Sequence, residues 1–377
     1  MDRRVVIATL QPDTHGGTGV QTHFRQVARH LRSAGVPVEI VTPFSAERPL
    51  VYPVFAVRRL LAPLSGAADV WWYRTWHARF LRRALRRVLA TGPAVVYAQD
   101  PLAARAAAEA GGPDVRVVLR VHFSGSEALE WASRGRIAMD GRLARSMIRS
   151  DEVAFRRIDG VVFVSEAQRA EVLGRYPSLA AIPGWTIPNA VEEPPRVVHG
   201  EVMADAVTVG ALEPRKNQRF LLEVCAAARD AGSPFSLTVV GDGPDRGPLE
   251  RAVADLGLRD LVTFAGFVAD VAPVLAGHRL YVHAATQETF GLALVEAMAV
   301  GLPVVAPPTG GIPELVHDGV EGILWDLGDP TGAARIVTEL LGDDARRREM
   351  AAAGRLRYTS TYTPEAVMPM LLEVLRV

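Results

Sequence analysis

The sequence predicts an α/β protein made of two Rossmann-like, doubly wound domains facing each other across a cleft, with a C-terminal helix crossing back to the first. Three observations carry that expectation. The chain has 377 residues, more than one hydrophobic core usually organises. Short β-branched runs alternate with helical stretches in each half, the grammar of a parallel sheet covered on both faces. Between the halves lies IPNAVEEPPRVV (187–198), whose prolines and acidic pair suit a hinge. The expected divisions are 1–190, 191–355 and a returning helix over 356–377.

RVVIATL (4–10) is short and β-branched, and the polar, glycine-rich QPDTHGGTGV (11–20) ends it. A helical stretch then runs to Leu31 and stops at Gly35. VPVEIVTPF (36–44), AVVYAQ (94–99), VRVVLRVHF (115–123) and GVVFVS (160–165) read as further strands, and 124–157 as mostly helical. The second half opens with VTVG (207–210), a helix through about Arg229, and SLTVVG (236–241). LVTFAG (261–266) and LYVHAA (280–285) follow, then a helix over about 292–300, PVVAP (303–307) and ILW (323–325). The stretch 352–377 contains no strong strand, and PMLLEVLRV (369–377) reads as a helix.

Composition narrows the class. Apolar residues make up 49% of the chain, enough to fill two cores. The single cysteine, Cys225, lies in a helical pattern and reads as a small buried side chain. No signal-peptide h-region follows Met1, and no run of about 18 uncharged apolar residues occurs, so a cytoplasmic protein without a spanning helix is expected. The zero net charge hides an asymmetry: residues 1–195 hold 26 basic and 18 acidic side chains, the remainder 16 and 24. A basic first half favours an anionic partner. Nucleic acid is disfavoured, since no reader motif or zinc-finger spacing is present. RTWHARFLRRALRRVLA (74–90) overlaps the aromatic run WWYRTW (71–76) and admits two readings. One is an amphipathic helix in peripheral contact with an anionic membrane; the other is a surface helix covering a sheet, its arginine stems lying over apolar surface. No H-E-x-x-H, Cys/His cluster or Asp-x-Asp constellation occurs, so no metal is expected.

Three loops carry possible chemistry. HGGTG (15–19) sits between a strand and a helix, where glycines permit close approach to an anion and helix N–H groups face it. It is neither a Rossmann fingerprint nor a Walker A loop. VGDGP (240–244) is a second glycine turn, equally explained by close backbone packing. TQETFGLALVEAMAVGLPVV (286–305) is the most informative. Phe290-Gly291 precedes a helix beginning near Leu292, whose N-terminus would suit a phosphate. Glu288 and Glu296, eight positions apart, are flanked by apolar residues, an expensive setting for carboxylates without polar partners. Hydroxyls of a sugar and a ribose would satisfy them. Lys216 is the only lysine in the chain and lies at a strand-to-helix junction, a compact cation suited to a diphosphate beside Arg215, which suits bidentate bonding. His122, at the end of VVLRVH (117–122), is the best candidate of the first half; His15 and His23 are weaker.

Together HGGTG, His122, PNAV (188–191), GALEPRKN (210–217), GDGP (241–244), FAGF (264–267), ETFGLALVE (288–296) and GGIPELV (310–316) resemble the retaining nucleotide-sugar glycosyltransferases of family 4, which have the GT-B fold. The resemblance spans nearly the whole chain, and the E-x7-E element with its F-G is its specific part. It implies an acceptor-side first domain and a second domain that binds the nucleotide sugar. Glu288 then receives hydroxyls of the transferred sugar, with Thr289 and the backbone N–H groups of Phe290, Gly291 and Leu292 around sugar and diphosphate. Glu296 accepts from the ribose, and Lys216 clamps the pyrophosphate. Gly16, Gly17 and Gly19 approach the diphosphate from the first domain, Gly210 and Gly241 line the donor side, His122 lies near the sugar's primary hydroxyl, and the base lies near Phe267 and Val268.

Two positions depart from the pattern. Ala211 stands where many members carry arginine, leaving Arg215 to supply that contact, and Ala285 stands where serine is common. The implied reaction moves a hexosyl-type sugar from a nucleoside diphosphate, UDP favoured over GDP, to a hydroxyl of a small or lipid-linked acceptor, with retention and with no cofactor beyond the donor. The leaving diphosphate would accept the attacking hydroxyl's proton. The alternatives are a GT-B sugar-nucleotide epimerase or hydrolase and a catalytically weak sugar-nucleotide-binding partner subunit, the latter prompted by Ala211.

Overall fold

A computed structural model describes residues 4–13, 19–46, 48–61, 63–194 and 203–376. The chain forms two compact units, Met1–Ala190 with Val367–Val377, and Val191–Ala366.

In the first unit, strands β1 (Arg4–Ala8), β2 (Val38–Val41), β3 (Ala94–Ala98), β4 (Val115–Arg120), β5 (Gly160–Phe163) and β6 (Gly184–Thr186) form a parallel sheet in the order β2-β1-β3-β4-β5-β6. Its helices are α1 (Gly19–Ser33), α2 (Arg48–Leu61), α3 (Gly66–Leu89), α4 (Pro101–Ala110), α5 (Glu127–Ser133), α6 (Arg142–Phe155) and α7 (Glu166–Arg175). The period-two alternation of a strand assigns side chains to opposite faces. Val6, Ala8, Val96, Ala98 and Leu119 share a cluster with residues of α3 and α4. Val5, Ile7, Val95, Tyr97 and Val118 share another with Phe24, Val27 and Leu31 of α1. Both faces are buried, so the strands read as continuous apolar runs.

The second unit holds β7 (Ala204–Val209), β8 (Leu237–Val240), β9 (Val262–Gly266), β10 (His278–Val282), β11 (Val304–Ala306) and β12 (Gly322–Leu324), parallel, in the order β12-β11-β10-β7-β8-β9. Its helices are α8 (Gln218–Asp230), α9 (Arg246–Asp255), α10 (Ala272–Ala276), α11 (Leu292–Ala299), α12 (Ile312–Leu315), α13 (Pro330–Gly342) and α14 (Asp344–Thr361). Cys225 is buried among Phe220, Leu221 and Val224 of α8, and burial pushes its thiol up to about 12. The last helix, α15 (Pro364–Leu375), places Val367, Met368, Leu371, Val374 and Leu375 on the α1 face of the first sheet, and Arg116 donates to Val374 O at 2.7 Å.

Several expected bounds shift for local reasons. β2 stops at Val41 because Pro43 has no N–H to donate; Pro43–Ser45 instead forms a 3₁₀ turn capped by Thr42. β10 begins two residues before the expected strand, at His278, whose ring bonds Val274 O and Thr238 Oγ1. β6, three half-buried residues, and α2, a helix that contains Pro53, have no counterpart in the expectations from sequence. In α3 the apolar side chains Val70, Phe80, Leu81, Ala84, Leu85 and Leu89 are buried, while Arg79, Arg83, Arg86 and Arg87 are exposed. That is the surface-helix arrangement for these residues, whose apolar stripe packs within the first unit, while Trp71 is 53% exposed. Among the described residues, no helix is long and apolar enough to cross a membrane.

Candidate functional site

The loops after β7 and β10 carry the densest polar chemistry of the second unit. Pro214–Lys216 is a 3₁₀ turn that ends in the left-handed residue Asn217 (φ +50°), a conformation that asparagine tolerates. Thr286 donates to Arg215 O through its N–H at 2.9 Å and its hydroxyl at 3.3 Å, fastening the lysine turn to the loop that holds Glu288. The result is a direct pair: Lys216 Nζ donates to Glu288 Oε2 at 2.5 Å, with side chains only 15% and 10% exposed. Burial pushes the Glu288 carboxyl up, but the Lys216 charge and bond, with the His283 ring 3.5 Å away, outweigh it and hold the group well below the usual carboxylate range.

Glycines shape this loop where backbone meets backbone. A Cβ on Gly310 (φ +53°) would lie 1.9 Å from Glu288 O, which also accepts from Gly311 N at 3.0 Å. Gly291 (φ +101°) is the N-cap of α11, so the amides of Leu292 and Ala293 precede any intrahelical acceptor and remain available to an anion. Phe290 is buried and packs edge-to-face on Tyr362. Thr289 lies between Phe290 and Glu288 in the same loop. Gly241 answers the alternative posed by its glycine turn: its Cβ would sit 2.0 Å from Gly210 O, so close packing of the β7 and β8 ends requires it.

Glu296 follows one face of α11. Its carboxylate makes no side-chain hydrogen bond among the described residues, and burial, then the Asp270 charge, pushes it up to about 7. Past β9, Phe267 is 66% exposed and Val268 half-buried, an aromatic face open to a ring. Arg215 stands differently from the expectation that it reaches the same oxygens as Lys216: its Nε bonds Glu213 Oε1 at 2.5 Å on its own turn. Ala211 supplies only a carbonyl, which accepts from Gln218 Nε2. Gly210 places no side chain at the end of β7, where a Cβ would touch the Lys216 stem at 3.8 Å.

In the first unit, His122 lies two residues beyond β4. Gln99 Nε2 donates to Tyr97 O, which aims Gln99 Oε1 at His122 Nε2, 3.0 Å away. Nε2 therefore carries the proton and Nδ1 is left as an acceptor. Burial, then the Arg120 charge, pushes His122 down to about 3, so the ring is neutral near pH 7. His23 packs edge-to-face on it and bonds Tyr97 OH at 3.1 Å. Arg120, fully buried, donates to Ile187 O and Asn189 Oδ1, both at 2.8 Å. Gly19 opens α1; Gly16, Gly17 and His15 lie outside the described residues.

Gln99 and His283 are the site residues that sequence reading passed over. His283 did leave a signal: Tyr281 and His283 alternate on one face of an otherwise apolar strand exit, where a polar pair needs a reason. Chemically, the second unit offers a cation, a buried carboxylate, helix amides and an exposed ring. That set suits a ligand combining phosphate, hydroxyls and an aromatic base. No group of three or more His, Cys, Asp or Glu side chains is placed to hold a metal among the described residues.

The sequence profile described as Glycosyltransferase Family 4 matches residues 17–193, and that described as Glycosyl transferases group 1 matches 204–343. The chain is 31% identical over 169 residues to the lipopolysaccharide core biosynthesis glycosyltransferase LpsE of Rhizobium meliloti, covering 45% of this chain and 48% of that protein, so it spans about half the relative's length. A D-inositol 3-phosphate glycosyltransferase of Salinispora tropica is 26% identical, over 97% of this chain and 82% of its own. Anabaena HepE in complex with UDP superposes with a TM-score of 0.72 at 20% identity, covering 99% of both chains, and shares the GT-B fold.

Proposed function

Because the chain belongs to the family-4 glycosyltransferases of GT-B fold, we propose that it transfers a hexosyl-type sugar from a nucleoside diphosphate sugar, UDP-linked in preference to GDP-linked, to an acceptor hydroxyl with retention of configuration. The second unit takes the donor and the first the acceptor. The observation that carries this reading is the Lys216–Glu288 pair set beside the N-terminus of α11, with Glu296 on the same helix.

In this reading the diphosphate lies against Lys216 and the leading amides of α11, which stabilise the charge that grows as the sugar leaves. Glu288, kept ionised by Lys216, accepts hydroxyls of the transferred sugar. Glu296 accepts from the ribose, and Phe267 packs against the base. Gly16, Gly17 and Gly19 belong to the diphosphate side of the first unit. The neutral His122 accepts a sugar hydroxyl at Nδ1. Arg215, drawn to Glu213, must exchange partners to reach a phosphate, as Lys216 must leave Glu288 to do so. The diphosphate oxygen receives the acceptor's proton as the new bond forms on the same face.

The acceptor is a small or lipid-linked alcohol met in the cytoplasm. The exposed arginines of α3 favour an anionic surface by charge alone, and sedimentation with anionic vesicles at low and high salt tests that contact. A donor-and-acceptor screen read by mass spectrometry, followed by assignment of the product's anomeric configuration, tests the whole reading. A retained conjugate supports it. Inversion, or free sugar with every acceptor, would overturn it.

A further inference from the structure

His283 is held by its backbone on both sides: its N–H donates to Val305 O at 2.8 Å, and its carbonyl accepts from Trp325 Nε1 at 3.0 Å. The ring is 2% exposed and stacks near Tyr281, which is fully buried two residues earlier on the same strand face. Tyr281 OH lies 3.2 Å from His283 Nδ1 and 3.4 Å from Val209 O. The other ring nitrogen, Nε2, is enclosed and makes no hydrogen bond of ordinary length. Its charged neighbour is Glu288 Oε2, 3.5 Å away, the same oxygen that takes the Lys216 bond.

The tautomer follows from these contacts. A proton on Nδ1 would turn the Nε2 lone pair toward a carboxylate oxygen, an unfavourable approach of two electron-rich atoms. A proton on Nε2 turns a donor toward Oε2 and leaves Nδ1 to accept from Tyr281 OH, whose 3.2 Å contact is the shorter of its two. Burial, the largest cause, disfavours the doubly protonated ring, and the charges of Lys216 and Arg215 add to it against the pull of Glu288. One donor bond to Oε2 is already made by lysine, so the histidine stands in reserve.

We propose that His283 is a positioning residue for Glu288: a neutral imidazole, oriented by Tyr281, whose Nε2–H becomes the donor to Oε2 when a diphosphate draws Lys216 away. It rests on the reading of Lys216 as the phosphate clamp. Without such a second donor, Glu288 would lose its only close bond at the moment it must face the sugar hydroxyls. The relay from Tyr281 through His283 ties the carboxylate to the β10 strand independently of the ligand.

The test separates this inference from the assigned activity. In protein labelled with 15N-histidine, with the His283 signals assigned by difference from His283→Gln, long-range 1H–15N spectra of the free protein should show the Nε2-protonated tautomer. The Nδ1-protonated form would overturn the proposal whether or not the protein transfers sugar. Added UDP should shift the Nε2 proton downfield as its bond to Glu288 shortens; movement of other site signals with His283 unchanged would also overturn it. In turnover assays, His283→Leu should lower kcat about tenfold with donor KM within about twofold, and His283→Gln, whose amide offers an N–H at a similar reach, should restore at least half. Equal loss in both variants would make the role merely structural. Should His283→Leu fail to fold, the wild-type spectra still decide. A wild-type protein that moves no sugar would remove the proposed function and leave the tautomer result standing.

Discussion

Lys216 and Glu288 are each other's solution to a buried charge, and this couples stability to pH in a defined direction. Glu288's folded pKa is depressed, so its contribution is present above the unfolded value near 4.5 and lost as pH falls below it. Lys216→Ala removes the charge that balances the buried carboxylate and leaves it only the neutral His283 donor, at a cost of about 3 kcal/mol near pH 7. The stability gap from wild type, followed by urea denaturation, should narrow as pH falls below about 4.5. The same variant should lower kcat/KM at least about tenfold, about 1.4 kcal/mol of lost diphosphate stabilisation. A gap that grows toward acid, or unchanged turnover, would refute the respective halves. Glu296 behaves oppositely. Burial pushes it up to about 7, so the free protein holds its proton near pH 6, and a ribose hydroxyl favours the ionised form. Binding of an unreactive UDP-sugar analogue should therefore release a proton near pH 6.5 and tighten from pH 6 to 8. Calorimetry in buffers of different ionisation enthalpy reads that release, and Glu296→Gln should abolish it.

At the scale of the element, α11 and the loop before it are positioned by contacts no side chain makes. Gly310 packs so closely on Glu288 O that even alanine must displace the backbone. Gly310→Ala should lower the melting temperature by several degrees and cut turnover more than ten times, while Gly301→Ala, whose added Cβ would meet open space, isolates the left-handed strain alone (φ +77°). A thermal melt in which both variants fall equally would assign the loss to backbone strain and not to the Glu288 contact. This contact also shows what the sequence can and cannot carry. The β-branched runs that became β1, β3, β4 and β8 were legible because strands buried on both faces need continuous apolar side chains. Glu288, Glu296 and Lys216 stood out because each charge broke an apolar context or a compositional habit. Their pairing was not legible: residues 72 apart meet only through the Thr286–Arg215 fastening, and nothing local announces it. Arg215 turning to Glu213 was hidden for a different reason. Two side chains on one 3₁₀ turn compete with any ligand, and sequence spacing gives no measure of which prevails. β6 escaped because GWT, three half-buried residues, is too short to show a period.

Across the whole molecule, the last eleven residues belong with the first unit although they follow the second in the chain. Val367, Met368, Leu371, Val374 and Leu375 share a buried cluster with Val5 and Ile7 of β1 and Val95 and Tyr97 of β3. Burying such side chains contributes about 1.5–3 kcal/mol each before ordering costs. Their sum is comparable to the net stability of a domain. The core of the second unit, centred on β7, β8, β10 and α8, includes none of them. Truncation after Thr363 should therefore act at a distance in sequence but locally in space. Hydrogen exchange read by mass spectrometry should show protection lost in peptides containing β1, β3 and α1, with β7, β8 and β10 retaining theirs. UDP binding should survive the truncation more fully than sugar transfer, because the proposed donor residues lie in the second unit and the first, proposed to take the acceptor, loses its last helix. Loss of protection in β7 and β10 equal to that in β1 and β3 would show that the two cores unfold as one, and would remove this separation of donor binding from acceptor-side stability.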